Sequence, residues 1–227
     1  DNIISDNKDL DIYYENDGIT IKKVEKLLYN NDKIKKYFEN NEIINSFMKK
    51  VFKEDFILFK DKLNLKYAKK GSGWKMHVDG VFYSDTCKKG WWDYASEYIN
   101  ILIPLGESKK NNGTLQIVKI DKNNCSYEQL LENTDINENN GVPKPDLYKE
   151  LEKKTTYLEL NLTDIAFFDP RCYHTSSKNL SDKDRKIFYL TYNKLSDGDN
   201  YLKYISDKHS SSHLGDHTKG DWSKISS

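Results

Sequence analysis

The feature that most constrains the fold is a series of short strand-like segments after residue 55. They are rich in aromatic and β-branched residues, and Gly, Asn and Asp residues separate them at turns. Because no helical pattern alternates with them, they predict an antiparallel rather than a parallel sheet, and an α+β fold built on a double-sheet roll or barrel. The six segments span residues 56–67, 98–105, 114–120, 156–160, 164–169 and 186–192.

The N-terminal part shows a different periodicity. From Ile19 to Phe52, apolar residues recur at steps of three and four, which predicts helices. Breaks at Asn31 and Asn41 divide the pattern into three short helices, each with a capping residue. We therefore expect one domain over residues 1–227. It comprises a helical layer (1–55), a β core (56–205) with an insertion (121–155) that resembles a lid or binding loop, and a loosely ordered tail (206–227).

Composition narrows the class of partner. The 36 basic and 36 acidic residues cancel, so the chain lacks the basic field of a nucleic-acid-binding protein. No apolar run reaches the roughly 20 residues that span a bilayer. Three widely spaced cysteines form no disulfide framework and suit a reducing, cytoplasmic location. The sequence starts at Asp1, which leaves open a trimmed targeting segment. We expect a small-molecule partner, and the oligomeric state stays unknown.

A His-x-Asp triplet, His77-Val78-Asp79, is the first candidate for chemistry. On an extended segment both side chains face the same way and are able to bind one ion. With a third ligand from another strand they would form a 2-His-1-carboxylate triad, which leaves three positions of Fe(II) open for an oxoacid and O₂. Alone the triplet is a weak signal, because most such pairs are structural or on the surface.

The second candidate region begins about a hundred residues later. An apolar run precedes His174, Ser176 follows two residues on, and Arg185 stands at the start of the next strand. The planar guanidinium of an arginine binds a carboxylate through two charge-assisted hydrogen bonds, which suits the far carboxylate of 2-oxoglutarate. Either residue alone would be better explained as a capped loop histidine or a surface cation.

Taken together, these segments resemble a known family. The segments FKDKLNLKYAKKGSGWKMHVDG, GWWDYASEYINILIPLGESKKNNGTLQIV and LNLTDIAFFDPRCYHTSSKNLSDKDRKIFYLTYNKLSDGD are similar to the phytanoyl-CoA dioxygenase superfamily, and most similar to 2-aminoethylphosphonate dioxygenase-like members. The resemblance runs from about Phe56 to Lys208. It departs where relatives have Gly-Phe-x-Pro-His-Gln-Asp, since this chain has Gly-Trp-Lys-Met-His-Val-Asp, so the substrate could differ.

The resemblance implies a double-stranded β-helix (a jelly-roll, cupin-like core) that uses Fe(II), 2-oxoglutarate as co-substrate and O₂. It implies that His77, Asp79 and His174 bind the metal and that Arg185 and Ser176 bind 2-oxoglutarate. The expected enzyme is an oxidoreductase that oxidises an unactivated C–H of a small polar metabolite, with succinate and CO₂ as co-products. Hydroxylation of a phosphonate or an amino-acid-like acid is the first expectation.

Two alternatives stay open at this point. One is oxidative cyclisation or desaturation of an amino-acid-derived natural-product intermediate with the same cofactors, since the outcome depends on substrate pose. The other is a non-catalytic metal- or ligand-binding jelly-roll module.

Further polar residues could line the pocket. Alternate positions of the strand 56–67 share one face, so an inward orientation would let Lys62 and Asn64 bind 2-oxoglutarate or an anionic substrate. For Lys60 and Lys66 on that face, the alternative is a solvated strand face. Weaker candidates for substrate contact are Lys66, Asn100, Tyr192 and Asn193, and core packing explains Tyr192 equally well. The tail histidines, His209, His213 and His217, have the i, i+4, i+8 spacing of a helical zinc site, but Ser and Gly between them favour a solvated tail.

Overall fold

The computed structural model describes residues 9–81, 89–120, 125–135, 137–138 and 140–210. In these ranges ten strands form two antiparallel sheets. The six-stranded sheet has the order β1-β2-β3-β10-β5-β8, and the four-stranded sheet has the order β4-β9-β6-β7. The strands are β1 (Asp11–Tyr14), β2 (Ile21–Glu25), β3 (Phe56–Lys66), β4 (Trp74–His77), β5 (Tyr98–Pro104), β6 (Leu115–Ile117), β7 (Thr156–Leu158), β8 (Ala166–Phe168), β9 (His174–Ser176) and β10 (Arg185–Lys194).

The predicted α+β class with a double-sheet core is confirmed, and all six predicted strands are present with shifted ends. Strands β4 and β9, which carry two of the candidate metal ligands, were not predicted as separate strands. Each is only three or four residues long, too short for an alternating pattern to identify it.

The helix predicted over residues 19–30 is wrong. Residues 21–25 of this segment instead form β2, which pairs with the preceding β1 in a hairpin and with β3 in the six-stranded sheet. Asp17 accepts hydrogen bonds from the backbone N–H groups of Ile19 and Thr20, and Gly18 adopts a φ of 69°, which together make the turn. The β-branched residues that follow then favour a strand over a helix.

Five helices occur in the described residues: α1 (Asp32–Glu39), α2 (Glu42–Phe52), α3 (Tyr127–Glu132), α4 (Pro145–Glu152) and α5 (Tyr201–Ser210). Asn31 and Asn41 cap α1 and α2 as predicted, because their side chains accept hydrogen bonds from the backbone N–H groups of Ile34 and Ile44. Helix α5 includes residues 206–210, which were predicted to belong to the tail. No helix in the described part of the chain is both long and apolar enough to cross a bilayer.

The six-stranded sheet has apolar cores on both faces. On β10, Phe188, Leu190 and Tyr192 belong to the large core that also contains side chains of α1, α2 and α5. Ile187 and Tyr189 face the other way, into a smaller core shared with Leu115 of the second sheet. The alternation of a strand therefore sends one set of side chains to the helical layer and the other into the space between the sheets. A cavity opens in that space.

The insertion 121–155 is more regular than predicted, since it holds α3 and α4. It also packs against the loop after β4: the backbone N–H of Val78 donates to the carbonyl oxygen of Gly141 at 3.1 Å. Gly141 has a φ of 71°, and a Cβ there would lie 2.3 Å from the carbonyl oxygen of Val78. This close approach brings Asn140 to the wall of the cavity.

Candidate active site

The cavity between the sheets brings together the three predicted metal ligands. His77 ends β4, Asp79 follows it, and His174 begins β9, where it pairs directly with His77 in the antiparallel register. One potential ligand atom from each of the three lies within 4.8 Å of the others. The Nε2 atoms of His77 and His174 are 3.8 Å and 3.6 Å from the carboxylate oxygens of Asp79. This is the donor set and compactness that one divalent ion requires.

Backbone carbonyl groups fix the orientation of both imidazoles. His77 Nδ1 is 2.8 Å from the carbonyl oxygen of Lys75, and His174 Nδ1 is 2.9 Å from that of Cys172. Because a carbonyl oxygen only accepts, each Nδ1 must carry the proton. Each Nε2 therefore presents a free lone pair toward Asp79, as a metal ligand must.

Asn100 supports the carboxylate of the triad. Its Nδ2 donates to Asp79 Oδ2 at 2.7 Å, and its Oδ1 accepts from Thr191 Oγ1 at 2.7 Å. Strands β5 and β10 place these two residues directly opposite each other. Asn100, predicted as a substrate contact, thus lies behind a candidate ligand and not on the cavity wall.

The electrostatics of the triad favour a metal cation over protons. Burial and the neighbouring His174 lower the pKa of His77 to about 3. Burial also lowers the pKa of His174. Burial alone would raise the pKa of Asp79, but Lys62 and the two histidines outweigh it and hold that pKa below its usual range. Two neutral imidazoles and one carboxylate are the protonation states that bind Fe(II).

A second buried site lies at the start of β10. Arg185 is 1% exposed, and none of its three guanidinium nitrogens has a hydrogen-bond partner among the described residues. It pairs in register with Lys66, whose Nζ donates to Ser176 Oγ at 2.8 Å and to the carbonyl oxygen of Ser177. A buried cation without a partner is costly, so this arrangement fits an anionic ligand that supplies the missing acceptors.

The chain matches a known protein family along most of its length. The sequence profile of the phytanoyl-CoA dioxygenase (PhyH) family matches residues 7–187. The chain belongs to the phytanoyl-CoA dioxygenase family. It is 29% identical over 175 residues to a 2-aminoethylphosphonate dioxygenase from the uncultured bacterium HF130_AEPn_1. It is 28% identical over 182 residues to a methylphosphonate hydroxylase from Gimesia maris. Each alignment covers 76% of this chain, and the chain spans 59% of the length of each relative.

Solved structures support the same fold. EctD from S. alaskensis with bound Fe matches 86% of this chain and 66% of its own, with a TM-score of 0.64 and 16% identity. The nogalamycin carbocyclase SnoK, described as non-heme and alpha-ketoglutarate-dependent, matches 85% of this chain and 71% of its own, with a TM-score of 0.62 and 12% identity. At these identities the likeness concerns the fold alone. The double-stranded β-helix expected from the resemblance is therefore confirmed.

The residues of this family member fit Fe(II) and 2-oxoglutarate, the cofactors of Fe/2-oxoglutarate oxygenases of this fold. His77, Asp79 and His174 supply a compact 2-His-1-carboxylate set. Arg185 supplies an unpaired buried guanidinium for a carboxylate. Ser176 and Asn64 line the cavity, and Asn64 Oδ1 also lacks a hydrogen-bond partner among the described residues.

The remaining predicted contacts divide into two groups. Lys62 lines the cavity, with its Nζ 4.9 Å from the centre of the Tyr189 ring. Lys66 is buried too, but it binds Ser176 and does not line the cavity. The solvated strand face considered for Lys60 and Lys66 is wrong, since both side chains point inward.

Tyr192 and Asn193, which were predicted to approach a substrate, do not line the cavity. Tyr192 lies on the same face of β10 as Phe188 and Leu190. It therefore packs in the core beneath the helices, where its ring contacts Phe56 edge-on. Asn193 donates to the carbonyl oxygens of Lys194 and Gly198 and so holds the turn after β10. His209 binds Asp11 at 2.8 Å, while His213 and His217 lie outside the described residues.

Three cavity lysines and the carboxylate that they contact were not predicted or were left in doubt. Lys23 and Glu25 lie on β2, inside the segment predicted as helix, and Lys208 lies on α5, inside the predicted tail. Together with Lys60 they form a buried ionic group. The β-branched residues after Asp17-Gly18 were the signal that could have identified two of these residues. They indicate a strand, and alternate residues of a strand, such as Lys23 and Glu25, face the same side.

Proposed function

We propose that this protein is an Fe(II)- and 2-oxoglutarate-dependent dioxygenase that hydroxylates a C–H bond of a small phosphonate. The observation that carries the proposal is the presence of two buried features: a triad of His77, Asp79 and His174, and the unpartnered guanidinium of Arg185. The family's phosphonate-oxidising relatives support the substrate class.

Each residue has a role that its surroundings support. The triad holds Fe(II) on one side and leaves neighbouring positions open. Arg185 binds the far carboxylate of 2-oxoglutarate, with Ser176 as a hydroxyl donor that Lys66 holds in place. Fe(II), 2-oxoglutarate and O₂ would supply the oxidising power, with one oxygen atom of O₂ accounted for in the hydroxylated product and the other in succinate, and with CO₂ as the second co-product.

The walls of the cavity protect this chemistry from water and bind an anion. Val78, Val81 and Trp91 contribute apolar surface, and all three are buried. Lysine side chains line the same cavity. A small substrate with a negative head group and an apolar carbon fits this distribution of charge. A non-catalytic binding module would not need a metal triad beside an unpaired arginine.

The test is product analysis of the wild-type protein. Protein loaded with Fe(II) and 2-oxoglutarate is given ¹⁸O₂ together with methylphosphonate, 2-aminoethylphosphonate or an amino acid. We expect one labelled oxygen atom in succinate and one in a hydroxylated phosphonate, in equal amounts. The His174→Ala variant removes a proposed iron ligand, so it should give neither product.

Two outcomes would contradict the proposal at different levels. Hydroxylation of the amino acid without any phosphonate product would show that the substrate class is wrong. A lack of substrate-dependent succinate with every compound would show that the dioxygenase assignment is wrong.

A further inference from the structure

Three lysines of the cavity wall converge on one buried carboxylate. Lys23 Nζ is 2.9 Å from Glu25 Oε1, Lys60 Nζ is 3.6 Å from the same atom, and Lys208 Nζ contacts Oε2. We call Lys23, Lys60 and Lys208 the lysine cluster. All three line the cavity, while Glu25 is fully buried behind them.

The charges of this group do not balance. Lys60 and Lys208 have no carboxylate other than Glu25 within ion-pair distance in the described part of the chain, and Lys23 shares the same carboxylate. Although burial alone would raise the pKa of Glu25, the lysines hold it well below its usual range, so Glu25 is ionised. The single negative charge of Glu25 therefore faces the positive charges of both Lys60 and Lys208, and the excess is directed at the cavity.

The lysine cluster is separate from the residues assigned to the cofactors. On the inner face of the large sheet, Lys60 pairs with Thr191, and Thr191 pairs with Asn100, the partner of Asp79. Strands β3 and β5 thus flank β10, which puts their axes roughly 10 Å apart. Arg185 pairs with Lys66, six residues from Lys60 along β3, so roughly 20 Å of strand separates the two positions.

We propose that the lysine cluster binds the anionic head group of the primary substrate, a phosphonate dianion, and so directs the adjacent carbon toward the triad. This inference rests on the proposed function. A phosphonate dianion offers two charges and three acceptor oxygens to these ammonium groups, whereas a monocarboxylate offers one charge and two oxygens. Glu25 keeps the three ammonium groups together in the protein without substrate, and Tyr13 Oη bonds to both Glu25 and Lys208.

A purely structural role for the cluster makes a different prediction. Lys208 belongs to α5 and Glu25 to β2, so their contact also attaches the helix to the sheet. If that attachment were the whole function, removal of a lysine would lower the stability of the protein but leave the affinity for anions unchanged. The two roles are therefore distinguished by a binding measurement.

The experiment is calorimetric titration of methylphosphonate into anaerobic protein that holds Fe(II) and saturating 2-oxoglutarate. Lys60→Met and Lys208→Met are compared with Lys203→Met, which removes an exposed lysine of the same helix. We expect each cluster variant to bind methylphosphonate roughly 10-fold or more weakly, because a charge-assisted contact is lost. The control should bind it as the wild type does, and 2-oxoglutarate affinity should stay unchanged in all variants. Acetate should bind more weakly than methylphosphonate.

A second variant keeps the test decisive if a lysine variant fails to fold. Glu25→Gln leaves the lysines without their carboxylate, so it should lower the melting temperature, and methylphosphonate should restore it by more than it raises that of the wild type. Absence of this rescue would overturn the proposal, as would unchanged methylphosphonate affinity in Lys60→Met and Lys208→Met, or failure of the wild type to bind the compound.

Failure of this inference is distinguishable from failure of the proposed function. If the wild type hydroxylates a phosphonate while the cluster variants bind it normally, only the role of the lysine cluster is wrong. If no phosphonate supports succinate formation by the wild type, the proposed function itself is wrong.

Discussion

The two sides of the cavity are built in different ways. On one side, His77 and His174 are fixed by backbone carbonyl groups on paired strands, and Asn100 fixes Asp79. On the other side, the lysine cluster consists of long side chains from three separate elements, β2, β3 and α5, held by a single carboxylate. The metal side is therefore held by short, rigid groups, and the lysine side by a network of ion pairs.

This difference in construction indicates which side of the cavity tolerates changes in its side chains. A metal site tolerates little displacement of its ligands, because coordination distances and geometry are narrow. A group of flexible lysine side chains binds any anion of suitable charge and size. A change in one of the strands or helices that carry the lysines alters the shape of the binding site. We infer that the metal side determines the reaction, whereas the lysine side determines the substrate.

The largest effect is expected at Arg185, on the metal side. Arg185→Met should weaken 2-oxoglutarate binding by roughly 100-fold or more, because a buried carboxylate would lose its charged partner. The free energy of unfolding of the protein without ligands should stay unchanged or increase, since Arg185 is buried without a partner among the described residues. Calorimetry and chemical denaturation measure the two quantities.

Lys186→Met provides the matched control for Arg185. Lys186 is the next residue of β10, and its side chain is 39% exposed beside Asp184. We expect it to change neither 2-oxoglutarate affinity nor stability appreciably. If Arg185→Met instead unfolded the protein while sparing 2-oxoglutarate affinity, the arginine would be structural and the contrast between the two sides would fail.

A smaller effect is expected at Asn100, a positioning residue. Asn100→Ala removes the hydrogen bond that orients Asp79, and loss of such a bond lowers metal affinity by roughly 10-fold or more. Thr191→Val should have a weaker effect of the same kind, because it leaves Asn100 in place. Competition with a chelator measures iron affinity in each variant.

The Asn100 variant also tests the independence of the two sides. Lys208→Met should leave iron affinity unchanged, since Lys208 binds Glu25 and Tyr13 and not the triad. Equal losses of iron affinity in Asn100→Ala and Lys208→Met would show that the two sides act as one unit.

The sequence predicted the metal side much better than the lysine side. His77, Asp79, His174 and Arg185 stand in short motifs with characteristic spacing, and the family resemblance covered them. Their convergence depends on strand pairing, which the antiparallel fold supplies. Asn100 was identified as buried but given the wrong partner, because a sequence does not show which side chain lies across a sheet.

The lysine side could not be predicted from local patterns. Val24, Leu27 and Leu28 have helical spacing by coincidence, and this spacing concealed a strand that buries Lys23 and Glu25. A charged residue is assigned to the surface unless a partner is known, and the partner of Glu25 lies 183 residues away, at Lys208. Buried ion pairs between distant segments leave no periodic signal.

The remaining effect concerns acid stability, and it distinguishes the two sides by their response to pH. His77 has a pKa of about 3 in the folded protein, mainly because of burial, against 6.5 when exposed. At pH 7.5 the ring is neutral in both states, but at pH 5.0 only the unfolded chain takes up the proton. Between pH 7.5 and pH 5.0, this residue should therefore lower the free energy of unfolding of the metal-free protein by about 2 kcal/mol. Because the pKa of Lys60 is raised, this residue of the lysine cluster stays positively charged from pH 5.0 to pH 7.5. Chemical denaturation of the wild type and His77→Gln at both pH values measures the difference, and an equal loss in the two proteins would mean that the folded state already accommodates the protonated ring.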